Sequence, residues 1–572
     1  MRVRIFSLIL FVFLIILLSG LAYIQILKND RYRIMSEENR LKVLPLMAPR
    51  GSIFDRNGNA LVKDTMCFNL SVIYNRIRDK NALINAVSPV LGISREDTAR
   101  KIKEAGRQPY SPVCIVSDIG IDKTVHLEEI GGDYPGLLLE VSTKREYLYD
   151  KAAANVLGYI GLINRDEFKR LKPYGYKVND MVGRDGIEKY YDDYLRGTHG
   201  GEQIEVDHRG QNVRTLGYKE PVSGRDVYLT IDLELQKFCD SLLQGRKGVI
   251  IVMRPDSGEV MALSSAAAYD PNIFVDREKK AMVSAVLKDK NYPLLDRAIA
   301  AAYPPGSVFK VIVGIAGLET GVITPETSYE CPGFFTLGKR TFHCWKKTGH
   351  GEQSLIEALK NSCNVYFWRV GASLGVDNIS AYAAKFGVGS KTGIDLPGEI
   401  PGFLPTREWK ERTMNDQWYK GETLNYSVGQ GYLLCTPIQV ARFMSVFANG
   451  GFLVKPYIAM KVGDVSVGSS EKISLNIPRK DMETVRQGLR KVVNDRRGTG
   501  MKAKQEGFII AGKTGTAQTS KGVDHGWFAG FAPYEKAALT VVVFDEYGGK
   551  GGHYAAEIAG RVFGKAKELK LL

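Results

Sequence analysis

The chain has 572 residues, 44% hydrophobic and 25% charged, which is enough for more than one domain and excludes a disordered or low-complexity polymer. Lys and Arg number 78 against 63 Asp and Glu, and the net charge of +15 suits an anionic neighbour such as a membrane surface or an acidic polymer. No zinc-finger, RNA-binding or Walker signature accompanies that charge, so nucleic acid is not an expected partner.

The first predicted element is a transmembrane helix. Residues 5–26 are apolar except for Ser7, Ser19, Gly20, Tyr23 and Gln25, long enough to span a bilayer. Arg2 and Arg4 in the short tail 1–4 should hold it in the cytoplasm and send the rest outside. Lys28, Arg31 and Arg33 reduce the charge asymmetry, which a large exported domain tolerates. A cleaved signal peptide fits less well, because its apolar region is usually shorter and no small-x-small cleavage site follows. Seven cysteines outside the cytoplasm leave at least one without an intramolecular disulfide. Cys67, Cys114, Cys239 and Cys435 stand in apolar surroundings and read as buried thiols.

From residue 27 to about 240 the chain carries short β-like runs, 68–73, 137–141 and 226–231, and a charged helical stretch from Arg95 to Ala105. It reads as a structural or partner-binding module. From 241 to 572 the character changes. Strand-like runs at 248–253 and 258–263 are joined by the turn Pro255-Asp256-Ser257-Gly258. A helical middle follows, then a short buried strand at 508–512, two antiparallel strands at 526–532 and 538–544, and a last helix at 555–567. Strands from both ends with helices between them predict an α+β domain whose antiparallel sheet is assembled from distant segments.

Three short motifs lie in this second region: Ser307-Val308-Phe309-Lys310, Ser362-Cys363-Asn364 and Lys513-Thr514-Gly515-Thr516. None is specific alone, since about two Ser-x-x-Lys matches arise by chance in a chain of this length. The chain holds its own decoys in Ser469 to Lys472, Ser474 to Asn476, Lys347 to Gly349 and Lys391 to Gly393. Context separates them. Tyr303-Pro304-Pro305-Gly306 breaks the chain before Ser307 and an apolar run, Val311 to Leu318, follows Lys310, so Ser307 should sit in the first turn of a buried helix with Lys310 on the same face. Lys513 follows the predicted strand, and Gly515 leaves room for a substrate backbone beside it.

Those residue types at those places equip a serine acyl transferase acting on peptides that end in a free carboxylate. Ser307 would attack an acyl carbon and form an ester. Lys310, desolvated and near Lys513, would have a lowered pKa and could accept the proton, although either lysine could be the acylation base. Ser362 would relay a proton to the leaving amine, and Asn364 would bond Lys310 or the substrate amide. The N–H groups of Ser307 and Thr516 would form an oxyanion hole, and Lys513, Thr514 and Thr516 would hold the carboxylate.

The three motifs, with Gly429-Gln430-Gly431 and His525-Gly526-Trp527-Phe528-Ala529-Gly530, resemble those of the class B penicillin-binding proteins. The resemblance runs over nearly the whole chain. Residues 48–58, Gly183 to Glu188 and 224–232 are similar to signatures of that family's non-catalytic pedestal, while residues 345–351 and 405–410 resemble its elongation-type branch more than its division-type branch. The resemblance implies a membrane anchor at 5–26, an elongated mixed α/β pedestal over 27–240 and a penicillin-binding transpeptidase domain with a helical subdomain over 241–572, the bulk of the chain lying outside the inner membrane. It implies cross-linking of peptidoglycan stem peptides from a lipid-linked precursor with release of a terminal D-alanine, and acylation of Ser307 by β-lactams. It also implies two partners, a SEDS-family glycan polymerase and a periplasmic scaffold protein. Rival readings are a division-type transpeptidase, a D,D-carboxypeptidase, a β-lactamase or β-lactam sensor, and a non-catalytic scaffold that activates a polymerase.

Cys331, Cys344, His350 and Cys363 follow the spacing C-x12-C-x5-H-x12-C. Three thiolates and an imidazole suffice for a closed structural zinc site, with His343 as a reserve ligand. In a tight Ser-x-Asn turn, Ser362 and Asn364 would face the substrate and Cys363 the opposite side. Some elongation-type relatives carry zinc in the matching region, so the resemblance points the same way. A Cys331–Cys344 disulfide and unpaired buried thiols are the competing readings.

Overall fold

The computed structural model describes residues 2–30, 41–110, 112–178, 180–206, 212–276, 278–519, 522–549 and 552–572. Arg31 and Arg33, the charges beyond the apolar span, lie outside the described residues. The described chain falls into two compact units, one comprising 1–51, 64–144 and 196–224, the other 52–63, 145–195 and 225–572.

The first unit begins with helix α1 (Arg2–Ala22), continued by a π-turn over Tyr23–Leu27. The apolar stretch Arg4–Leu27 covers 24 residues, none of them buried in its apolar window, as expected of a helix whose apolar side chains face lipid. Helices Lys80–Leu91, Arg95–Ala105 and Ile121–Gly131 pack on strand residues around one small core of Leu70, Val72, Leu83, Val87, Ile102 and Leu127. Strands Leu41–Leu46, Gly200–Val206 and Asn212–Lys219 form a separate three-stranded sheet.

The second unit is built on a five-stranded antiparallel sheet of β1 (Gly248–Met253), β2 (Val260–Ala266), β3 (Ala511–Ala517), β4 (His525–Ala532) and β5 (Leu539–Asp545), in the spatial order β2-β1-β5-β4-β3. Both faces are covered, so alternate residues enter opposite cores: Val249, Ile251 and Met253 face one, Ile250 and Val252 the other. Helix Leu233–Leu242 and the C-terminal helix Tyr554–Glu568 cover the second face, and helix Pro437–Ala448 lies on the first. The signature Gly183 to Glu188 belongs to this unit, where the Glu188 carboxylate accepts from Arg145 Nε at 2.7 Å with both side chains buried.

The sheet matches the predicted strands with two shifts, the one expected over 258–263 running from Val260 to Ala266. The strand expected over 508–512 begins at Ala511 and runs through Ala517, so Lys513 to Thr516 lie inside it. Its partner β4 sets this: pairing starts at Ala511 opposite Phe531, and β4 stops at Ala532 because Pro533 has no N–H to donate. Among the described residues β3 is the edge strand of this sheet, with no strand paired on its other side.

Candidate active site

Ser307 lies in a 3-10 turn, Gly306–Phe309, that leads into α2 (Lys310–Glu319). α2 is apolar and buried from Lys310 through Leu318, so the turn is held by packing along the whole helix. Gly306 has φ +55° and donates its N–H to Gly429 O at 2.9 Å. A methyl group on Gly306 would come within 2.7 Å of Thr516 O, so only glycine lets the Ser307 turn approach β3 this closely.

The second motif joins α3 (Leu355–Lys360) to α4 (Asn364–Lys385). Ser362 has φ +51°, a left-handed conformation that disfavours a non-glycine residue by about 1–2 kcal/mol. Its N–H reaches Leu359 O at 3.2 Å and that of Cys363 reaches Ala358 O at 2.9 Å, closing α3 in a left-handed C-terminal cap. The reversal sends Ser362 and Asn364 to one side and Cys363 to the other, as the sequence reading expected.

Lys310 collects the first side. Its ammonium is fully buried and donates to Asn364 Oδ1 at 2.6 Å, Ser362 O at 3.0 Å and Ser362 Oγ at 3.4 Å. Burial pushes its pKa down to about 8, with the Cys344 and Cys363 thiols opposing the fall. Lys513, on β3, is equally buried and donates to Thr514 O at 2.9 Å. Burial, helped by the charge of Lys310, holds its pKa well below that of an ordinary lysine.

The rest of the β3 motif is placed as follows. Thr514 is buried and donates its hydroxyl to Thr499 Oγ1 at 2.8 Å. The space beside Gly515 belongs to the protein itself: a Cβ there would lie 2.9 Å from Pro305 O and 2.9 Å from Val308 Cγ2. Its missing side chain therefore lets β3 pack on the Ser307 turn. Thr516 O accepts from Gln430 Nε2 at 3.1 Å. Gln430 was visible in the sequence only as part of a signature, and Thr499 gave no local signal.

The decoys differ from these motifs in burial and bonding. Residues 469–472 are exposed or half-buried, Lys347 is exposed, and Thr392 is tied to Glu399, whose Oε1 accepts from its N–H and its hydroxyl, both at 2.6 Å.

On the far side of the Ser362 turn, Cys331, Cys344, His350 and Cys363 bring their donor atoms within 4.8 Å of one another. The three cysteines are buried, and His350 Nδ1 lies 3.5 Å from Cys331 Sγ and 3.6 Å from Cys344 Sγ. A hydrogen bond between Cys344 and Cys363 lowers the pKa of the first thiol and raises that of the second. All seven cysteines are free, so no Cys331–Cys344 disulfide is formed. His343, the reserve ligand, is exposed on strand Arg340–His343 and does not belong to the group.

A half-buried serine at a helix entry, a buried amine of lowered pKa one turn on, a second hydroxyl on that amine, and an edge strand with a second amine are groups that can carry out acyl transfer on an extended peptide. Two family models match the chain: the penicillin-binding protein dimerisation domain over residues 45–229 and the penicillin binding protein transpeptidase domain over 248–564. The peptidoglycan D,D-transpeptidase MrdA of Haemophilus influenzae is 34% identical over 581 aligned positions, covering 96% of this chain and 89% of that protein. Penicillin-binding protein 2 of Helicobacter pylori, solved in complex with MreC, superposes with a TM-score of 0.82 at 29% identity, covering 93% of this chain and 99% of that one. A chain of a peptidoglycan synthase complex, solved to show how polymerization and crosslinking are coordinated, gives a TM-score of 0.76 at 32% identity, with 98% and 97% covered.

Proposed function

The chain belongs to the penicillin-binding transpeptidase family, and from that premise we propose that it cross-links peptidoglycan through an acyl-enzyme on Ser307. It is a serine-type D,D-transpeptidase of the elongation type, with residues 27–240 as pedestal and 241–572 as catalytic domain. The observation that carries the residue assignment is the convergence on Lys310, a fully buried amine bonded to both polar side chains of the Ser362 turn.

The donor stem peptide lies along the open edge of β3 with its terminal carboxylate toward Lys513, Thr514 and Thr516. Ser307 Oγ attacks the carbonyl of the penultimate D-alanine while Lys310, in the minor neutral form that its lowered pKa makes accessible, takes the hydroxyl proton. The N–H groups of Ser307 and Thr516 receive the oxyanion. The proton passes through Ser362 to the amide nitrogen, the C–N bond breaks, and D-alanine leaves. An amine of a second stem peptide then attacks the ester, returns a proton to Ser307 through Lys310, and leaves a new amide as the cross-link. A β-lactam follows the first half, but its leaving amine stays tethered and the ester persists. Gel labelling with a fluorescent penicillin tests this: Ser307→Ala should abolish labelling, and labelling that survives overturns the nucleophile assignment.

Cys331, Cys344, His350 and Cys363 are proposed to hold a structural zinc. For Zn–S of about 2.3 Å and Zn–N of about 2.1 Å, a tetrahedron has an S···N edge of about 3.6 Å. The His350 Nδ1 distances of 3.5 and 3.6 Å match that edge. When bound, zinc supplies cross-linking of the segment behind the Ser362 turn, and the chemistry stays with the side chains described above. Metal analysis of the purified protein should find one zinc, lost in Cys363→Ser; none in the intact protein rejects the site.

The single-pass helix α1 is proposed to anchor the protein in the inner membrane with its bulk outside the cytoplasm. A SEDS-family glycan polymerase and a periplasmic scaffold are the proposed partners, supported by the similarity to the synthase complex and to the MreC-bound structure.

A further inference from the structure

The chain between Cys344 and His350 carries a tryptophan that the mechanism above does not use. Trp345 is 58% exposed, so it is not part of the core. Its indole N–H is nonetheless committed: it points between two successive carbonyls, Asn361 O at 3.0 Å and Ser362 O at 3.2 Å. Ser362 O is also an acceptor of the Lys310 ammonium, at 3.0 Å. One carbonyl oxygen thus receives the indole from the solvent side and the buried amine from the inside.

The residue between those two carbonyls is the one with φ +51°. A left-handed serine persists only where its surroundings over-determine it. The N–H side of the turn is fixed by the α3 cap, through Leu359 O and Ala358 O. The carbonyl side is fixed by Trp345. The indole itself is braced by an edge contact with the His350 ring, centroids 5.1 Å apart.

We propose that Trp345 is a positioning residue for acylation: its indole N–H clamps the Asn361 and Ser362 carbonyls, and so sets where the Ser362 carbonyl and hydroxyl and Asn364 hold the Lys310 amine relative to Ser307. The inference rests on the acyl-enzyme reading of Ser307 and adds a residue outside the three motifs to it.

Trp345→Phe keeps a ring against His350 and removes the donor. Stopped-flow acylation by a fluorescent penicillin, run over a range of penicillin concentrations, separates the non-covalent dissociation constant from the acylation rate constant. The rate constant should fall about tenfold, the size expected from losing one oriented hydrogen bond. The dissociation constant should change less than about twofold, with zinc content and thermal midpoint kept. Replacing Trp345 with benzothienylalanine, which has the indole shape without the N–H, should reproduce the fall and serves if the phenylalanine variant folds poorly. An unchanged rate constant in both variants overturns the proposal. So does a weakened dissociation constant with an intact rate constant, which would make Trp345 a ligand contact. Ser307→Ala, assayed in parallel, reports separately on the nucleophile: labelling that survives there rejects the reading beneath this one, whereas its loss with unaffected Trp345 variants rejects this inference alone.

Discussion

The shortest contact of the Lys310 ammonium, 2.6 Å to Asn364 Oδ1, makes Asn364→Asp a sharp probe of the base. The substitution keeps the shape and replaces an amide oxygen with a carboxylate. A full negative charge that close favours the ammonium form, and an opposite charge of this kind moves a pKa by about 1–3 units. Lys310 starts at about 8, so its neutral fraction at pH 7 is about one in ten. A rise of about two units leaves about one in a thousand. The sign is fixed by the role: the base must be neutral to take the serine proton. Acylation in the wild type should therefore increase about tenfold per pH unit below pH 8 and level off above it, given a single titrating base. Asn364→Asp should acylate about 100-fold more slowly at pH 7 and recover at about pH 10. Acylation rate constants measured from pH 6 to 10.5 for both proteins test this. Overlapping profiles would refute Lys310 as the group whose ionisation limits acylation.

Two further perturbations follow from packing. Gly515→Ala places a methyl 2.9 Å from Pro305 O and 3.0 Å from Trp527 Cβ, so β3 must move off the Ser307 turn. Acylation should drop at least about tenfold with a loss of about 1–3 kcal/mol of stability, read by penicillin labelling and thermal melting; full activity would mean the two elements are not held in register. Glu188→Gln removes the buried carboxylate that accepts from Arg145 Nε at 2.7 Å, and breaking such a pair costs about 3–5 kcal/mol. The unfolding midpoint should fall by several degrees, while protein that remains folded acylates normally.

Features that depend on neighbours in the chain are legible in the residues alone. The period of an apolar helix set Lys310 one turn beyond Ser307, and Pro304-Pro305-Gly306 fixed where that helix starts. A 3-10 entry turn replaced the expected α-helical one, a local tightening that left the order of the two residues intact. The apolar stretch at the N-terminus, four of the five sheet strands and the opposed directions of Cys363 and its neighbours were legible in the same way. The strand carrying Lys513 starts a few residues later than its own composition indicates, because its limits come from β4. Tertiary structure decided the rest. Lys310 meets Asn364 across 54 positions, Gln430 reaches Thr516 across 86, and Thr499 caps Thr514 from a loop with no motif. The space beside Gly515, open to a substrate in the sequence reading, is filled by Pro305 and Val308. Periodicity and turn chemistry are written in adjacent residues, because they arise from backbone sterics and hydrogen bonds a few positions apart. Contacts across many tens of residues arise only when an edge strand and two helices pack at set distances, and no local pattern carries that information.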